Sequence, residues 1–216
     1  MFSKNTLTDA IKEDHQEVIS LSSCHAGALR VLVTVAQMYE YYENYKTAAG
    51  DLDAQARWAR QLTWEIARHA VGEEIVVYPL MEKYMGEEGV RLANQDREDH
   101  QEVKEQLYKL ESLTAGTNEY DAIMTRVMAH LHRHNDSEEI QDLPQLEPKL
   151  GEEGSQQAAM SFTRTKKFAP TRPHPSAPNK PPTETLVGFL ALPIDKLKDM
   201  FSKFPTEEMK KAAEED

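Results

Sequence analysis

The sequence predicts an all-α protein: an up-down antiparallel four-helix bundle followed by a proline-rich strap and a short helix. Three observations predict it. Glycine is scarce through about residue 160, and the first proline is Pro79. Apolar residues in that stretch recur mostly at spacings of three and four, the period of a helix with one buried face. The chain also repeats itself. Glu13-Asp14-His15-Gln16-Glu17-Val18 returns letter for letter as Glu98-Asp99-His100-Gln101-Glu102-Val103. His69-x-x-x-Glu73-Glu74-Ile75, with Pro79 beyond it, is echoed by His134-x-x-x-Glu138-Glu139-Ile140, with Pro144.

Helix A is expected from about Thr8. Helix B is expected from Ala54 to Tyr84, helix C from Gly89 to Leu113 and helix D from Asn118 to Leu143. Breaks fall at Ala49-Gly50-Asp51, Met85-Gly86 and Ala115-Gly116-Thr117, where glycine interrupts the apolar period. Pro79 and Pro144 each stand ten residues past a repeated histidine and should kink or end their helices. The two copies differ in length. His15 to His100 is 85 residues, whereas His69 to His134 is 65. Removing Ile19 to Met38, 20 residues with one charge (Arg30) and the sole cysteine, restores the alignment. Residues 19–38 therefore read as an insertion in the first helix, the alternative being a first helix that is simply longer and has diverged. As continuous helix it would add about 30 Å and turn the following residues by about 200°.

Residues 1–160 form the expected bundle and 161–216 a tail. From Pro170 to Pro182 there are six prolines, so that stretch is expected to be extended rather than helical. Ile194 to Phe204 reads as a short amphipathic helix with Leu197, Met200, Phe201 and Phe204 on one side. Phe162, Phe168, Phe189, Leu190 and Phe201 are many apolar groups for a free linker, so the tail is expected to dock as a strap.

Composition bounds the function. The 216 residues carry a formal net charge of −12. Residues 161–216 hold 10 Lys/Arg against 8 Asp/Glu, which leaves the body strongly acidic. An acidic body disfavours nucleic acid and anionic membranes and tolerates cations. The single cysteine, Cys24, excludes a disulfide framework and fits a reducing compartment. No signal pattern opens the chain, and no apolar run approaches the roughly 20 residues of a membrane span. A soluble, cytoplasmic protein is expected.

The repeated polar residues carry the chemistry. Residues four apart share one helix face, so His69 and Glu73 reach one small volume from helix B. His134 and Glu138 do the same from helix D, and His15 and His100 each add an imidazole from helices A and C. A carboxylate has two oxygens and can bridge two cations, whereas an imidazole binds one. Six such residues pointing into a bundle make a dinuclear metal site. Nitrogen and oxygen donors without thiolate suit iron, with manganese or zinc as alternatives. Glu74 and Glu139 are expected around this site, whereas Asp14 and Asp99 are expected to face solvent. His132 points away from it, His25 lies in the insertion and His174 in the tail, so none of these is expected to ligate.

These motifs, over about residues 5 to 150, resemble the hemerythrin-like, HHE cation-binding family. The resemblance implies an up-down four-helix bundle around a non-haem di-iron site. Carried over by motif, its ligands are His15, His69, Glu73, His100, His134 and Glu138. The sequence departs from the oxygen-carrying members. Those have two histidines four apart on the third helix, whereas the residues four before and after His100 are Asp96 and Lys104. Glu138 also stands at i+4 from its histidine rather than i+5. His130, one turn before His134, is a candidate fifth imidazole, with Glu65 as its counterpart in the first copy.

Three functions compete. The first is a soluble di-iron protein that binds, senses or buffers iron, dioxygen or nitric oxide. The second is a di-metal oxidase, or a peroxide- or NO-consuming enzyme, with Tyr78, Tyr108 or Glu65 as proton donor. The third is a metal-free helical scaffold. No phosphate-binding loop or nucleophile arrangement points elsewhere.

Overall fold

The structure is a computed structural model describing residues 5–15 and 37–215. Helices dominate it, with no strand among the described residues. They are α1 (Leu7–His15), α2 (Gln37–Thr47), α3 (Leu52–Gly72), α4 (Tyr78–Leu110), α5 (Asn118–Ser137), α6 (Leu143–Lys166), α7 (Thr183–Asp199) and α8 (Glu207–Glu215). Two short π-helical turns, π1 (Glu73–Val77) and π2 (Glu138–Asp142), join α3 to α4 and α5 to α6. Among the described residues no helix is long and apolar enough to cross a membrane.

Local chemistry explains the starts. Thr6 and Asp9 exchange hydrogen bonds between each side chain and the other's backbone N–H at the head of α1, a reciprocal cap. The Asp51 side chain accepts from Ala54 N–H at 3.0 Å, and Thr117 accepts from Tyr120 N–H at 3.4 Å. Each satisfies a donor that the first helical turn leaves over. The insertion expected at 19–38 lies outside the described residues except for its last two positions. Of these, Met38 is fully buried in the core.

The expected break at Met85-Gly86 occurs at Gly86 (φ 65°, ψ −141°), inside α4. Gly151 breaks α6 in the same way (φ 68°, ψ 171°). Both conformations are closed to residues with a Cβ. The pair extends the repeat, because Gly86-Glu87-Glu88-Gly89 returns as Gly151-Glu152-Glu153-Gly154. The chain after Gly151 passes the expected boundary at 160 inside α6. It turns back as a further helical stretch to Lys166, carries the fully buried Phe162 and packs against α1.

Two apolar clusters flank one polar band. Along α3, Trp58, Leu62 and Ile66 belong to the first cluster, and Val77, Tyr78 and Met81 beyond it to the second. His69 and Glu73 lie between. On α4 the order reverses: Leu92 and Ala93 belong to the second cluster, then comes His100, then Val103, Leu107 and Leu110 of the first. On α5 it reverses again, from Met124, Val127 and Leu131 through His134 and Glu138 to Leu143. Leu7 and Ile11 of α1 lie in the second cluster, and Met38 and Tyr39 of α2 in the first, with His15 one turn beyond Ile11.

Residues 170–182 are neither helix nor strand, as their prolines require. Hydrogen bonds tie this stretch to α3 and α4. Arg60 donates to Thr171 O at 2.9 Å, Gln101 to Pro175 O at 3.0 Å and Arg97 to Asn179 O at 3.1 Å. The tail helix differs from the expected Ile194–Phe204. It runs from Thr183 through Pro193 and stops at Asp199, because a proline removes only one hydrogen bond and the helix continues across it. Phe168, Leu190 and Phe201 are exposed rather than buried, and the Phe189 side chain lies outside the described residues.

Candidate metal centre

The π turns begin at the glutamates themselves. Tyr78 N–H donates to Glu73 O, and Leu143 N–H donates to Glu138 O, five residues back instead of four. Pro79 and Pro144 follow at once, in the first turns of α4 and α6. A proline has no N–H to give and its ring crowds the preceding turn; a widened turn makes room for it. The prolines thus widen the helix at the glutamates rather than kinking or ending it. Widened turns of this kind recur at functional sites.

The six expected residues come together and are buried: His15 1%, His69 2%, Glu73 0%, His100 2%, His134 3% and Glu138 0% exposed. They form two overlapping clusters with Glu73 in both: His15, His69, Glu73 and Glu138, and Glu73, His100 and His134. His15 Nε2 lies 2.8 Å from His69 Nε2, and His100 Nε2 3.0 Å from His134 Nε2. Glu73 Oε1 is 2.9 Å from His69 Nε2, while Oε2 is 3.3 Å from His100 Nε2. Glu138 Oε2 is 4.0 Å from His15 Nε2.

Each imidazole turns its Nε2 inward and its Nδ1 toward a carboxylate. His15 Nδ1 meets Glu139 at 2.9 Å, His69 Nδ1 meets Asp14 at 2.8 Å and His100 Nδ1 meets Glu74 at 3.0 Å. His134 Nδ1 lies 3.7 Å from Asp99. Behind these carboxylates stand cationic or imidazole groups. Lys12 is 3.4 Å from Glu139, Lys104 is 2.6 Å from Glu74 and Lys166 bonds Asp14. His130 Nε2 is 3.1 Å from Asp99. Outer carboxylates of this kind fix the ring and the tautomer of a metal-binding histidine. Asp14 and Asp99 therefore do not simply face solvent. A helix wheel puts them off the histidine face, but the neighbouring helix brings a second histidine to each. His130 turns to Asp99 and belongs to neither cluster. His132 is exposed and stacks on Tyr39.

The donors fit cations. All four oxygens of Glu73 and Glu138 are buried without a hydrogen-bond donor, and two carboxylates side by side need positive charge. Titration follows suit. Burial pushes the Glu138 carboxyl far up, and the Glu73 charge pushes it further. Burial alone would raise Glu73, but His69 and His100 hold it well down. Burial likewise works against charge on His69, yet Glu73 and Asp14 hold its pKa up at about 9. Burial takes His134 down to about 4. Cations binding here would displace protons from Glu138 and His69.

The repeat carries no signal for Lys166, nor for the buried acids Asp96 and Asp142. Lys104 was visible only as a departure from the family pattern.

Among the described residues the fold is helical, and four buried imidazoles and two buried carboxylates converge from four segments, a donor set that could hold cations. Residues 6–146 match the Hemerythrin HHE cation binding domain, and the chain belongs to that family. Over 164 residues it is 54% identical to an uncharacterized hemerythrin-like protein of Schizosaccharomyces pombe, a match covering 76% of this chain and 80% of that protein. No solved structure matches the chain.

Proposed function

We propose that this chain is a soluble cytoplasmic protein holding two iron ions in an up-down four-helix bundle. It would bind, sense or buffer iron, dioxygen or nitric oxide. The observation that carries this is Glu73, whose two oxygens face different histidine pairs. His15 and His69 would hold one ion and His100 and His134 the other, with Glu73 within reach of both pairs and Glu138 beside the first. Manganese or zinc would suit the same donors. The reversal of core order from helix to helix supports the antiparallel bundle, and the bonds from residues 171–179 to α3 and α4 support a docked strap.

Bound iron would supply redox change and affinity for diatomic ligands. The chain's own groups do the rest. Asp14, Glu74 and Glu139 orient the imidazoles of His69, His100 and His15, while the rings of Phe162 and Tyr78 pack against His69 and His100. A cavity of about 30 Å³ lies between α3, α4 and the proline-rich stretch, with Ile66, Val103 and Leu107 on one side and Arg172, Pro173 and His174 on the other.

One observation favours an oxidase, or a peroxide- or NO-consuming enzyme, as a second reading. The buried Tyr78 hydroxyl lies 3.1 Å from His100 Nε2, where it can hold or deliver a proton.

Elemental analysis tests the centre. The purified chain should carry close to two metal ions, and His69→Ala with His134→Ala should carry none. Two tightly held ions in that double variant would sink the assignment. Turnover of peroxide or nitric oxide by the loaded protein would decide for the enzyme.

A further inference from the structure

The carboxylates behind the two half-sites are held differently. In the half-site of His100 and His134, Asp99 is steadied by His130 of α5, a residue within the matched domain. In the other, Asp14 is steadied by Lys166, which lies beyond residues 6–146. Lys166 is 9% exposed, and its ammonium bonds both Asp14 Oδ2 and Glu65 Oε1, the latter at 2.6 Å. The same Asp14 oxygen lies 2.8 Å from His69 Nδ1. The lysine stem is fixed by packing. A Cβ on Gly72 would stand 3.3 Å from Lys166 Cγ and 2.8 Å from Phe162 Cε2, so the stem and ring occupy space that only glycine leaves. Gly72 immediately precedes Glu73, so this contact is made at the glutamate both half-sites share.

We propose that Lys166 is a positioning residue for the His15–His69 half of the metal centre, acting through Asp14. The proposal rests on the dinuclear reading above. The ammonium pins the Asp14 oxygen against His69 Nδ1. That keeps the proton on Nδ1 and aims Nε2 at the metal. The second half-site has no such dependence, so the last stretch of α6 completes one metal position and not the other. The family domain alone would then hold two unequal ions.

The test is a Co(II) titration of the full chain, read by visible absorption and elemental analysis. Wild type should take up two ions. Lys166→Met should bind one of them about 10–100-fold more weakly, with a changed spectrum for that ion alone. Lys166→Arg should restore part of the loss, and Lys167→Met, an exposed neighbour, should change nothing. Asp14→Asn breaks the same chain in the middle and should weaken the same ion, and adding Lys166→Met to it should cost nothing more. Two ions bound by Lys166→Met with wild-type affinity and spectrum would overturn the proposal. So would additive losses in the double variant. If Lys166→Met does not fold, Asp14→Asn decides alone, and unchanged binding of both ions by it overturns the proposal. A wild-type chain that takes up no Co(II) would instead overturn the metal centre itself.

Discussion

Asp96 and Asp142 are buried acids outside the two apolar clusters. Aligned by the repeat, they stand where the first copy has Ile11 and Val77. All four are buried, so nothing in the packing demands acids. Asp96 Oδ2 and Asp142 Oδ1 have no hydrogen-bond partner. Burial, and then the charge of Asp142, raises the Asp96 pKa to about 8; burial raises Asp142 to about 6. A folded-state pKa above the unfolded value means that the folded chain binds the extra proton. Its stability therefore falls as pH rises through that window. His69, at about 9, acts in the same direction above pH 6.5, while His134, at about 4, opposes it only until its unfolded imidazole has lost its proton, just above pH 6.5. The metal-free chain should thus unfold at lower urea at pH 8.5 than at pH 6.5. Asp96→Ile with Asp142→Val should remove part of that slope and raise stability by about 1–3 kcal/mol per site. A wild-type midpoint equal at both pH values would contradict the argument.

At the scale of elements, the two halves are built by one device used twice: histidine, glutamate at a π turn, proline, then a glycine that reverses the chain. Gly86 and Gly151 sit at positive φ, and a Cβ at either would meet nothing within 4 Å. Substitution there costs backbone strain alone. Gly86→Ala and Gly151→Ala should each lose about 1–3 kcal/mol in equilibrium unfolding, with metal stoichiometry kept. A loss of metal without loss of stability would show that these turns set the site rather than the chain path. The helices and the breaks at Gly50, Gly86 and Gly116 were legible because periodicity and glycine act locally. The π turns were not. One extra residue in a turn hardly disturbs an apolar pattern of threes and fours, and the cause lies in proline sterics combined with burial of both glutamates.

For the whole molecule, the segment beyond the family domain packs against the body. Phe162 is 1% exposed and packs edge-on against the His69 ring, 5.6 Å between centroids. Ser155 Oγ accepts from Leu7 N–H at 2.7 Å, closing the start of α1. Truncation after Leu150 removes both contacts, Lys166 and the bonds of residues 171–179. Loss of a buried phenylalanine alone costs about 3–5 kcal/mol. The truncated chain should therefore melt well below the full chain and hold metal more weakly. A melting curve that overlays the full chain's would mean that residues 151–216 are an independent appendage.

The sequence by itself determined the helical class, the repeat and all six converging ligand candidates, because His-x-x-x-Glu on a helix is a local relation and duplication marks it twice. Tertiary structure alone decided what stands behind those six. Asp14 looks solvent-bound on its own helix until α3 brings His69 to it. His130 is a candidate imidazole by its place on the helix, and α4 sets Asp99 beside it. Lys166, 152 residues from its partner Asp14, belongs to no repeat and no motif. Such contacts are made between helices, across a core whose geometry no single helix encodes.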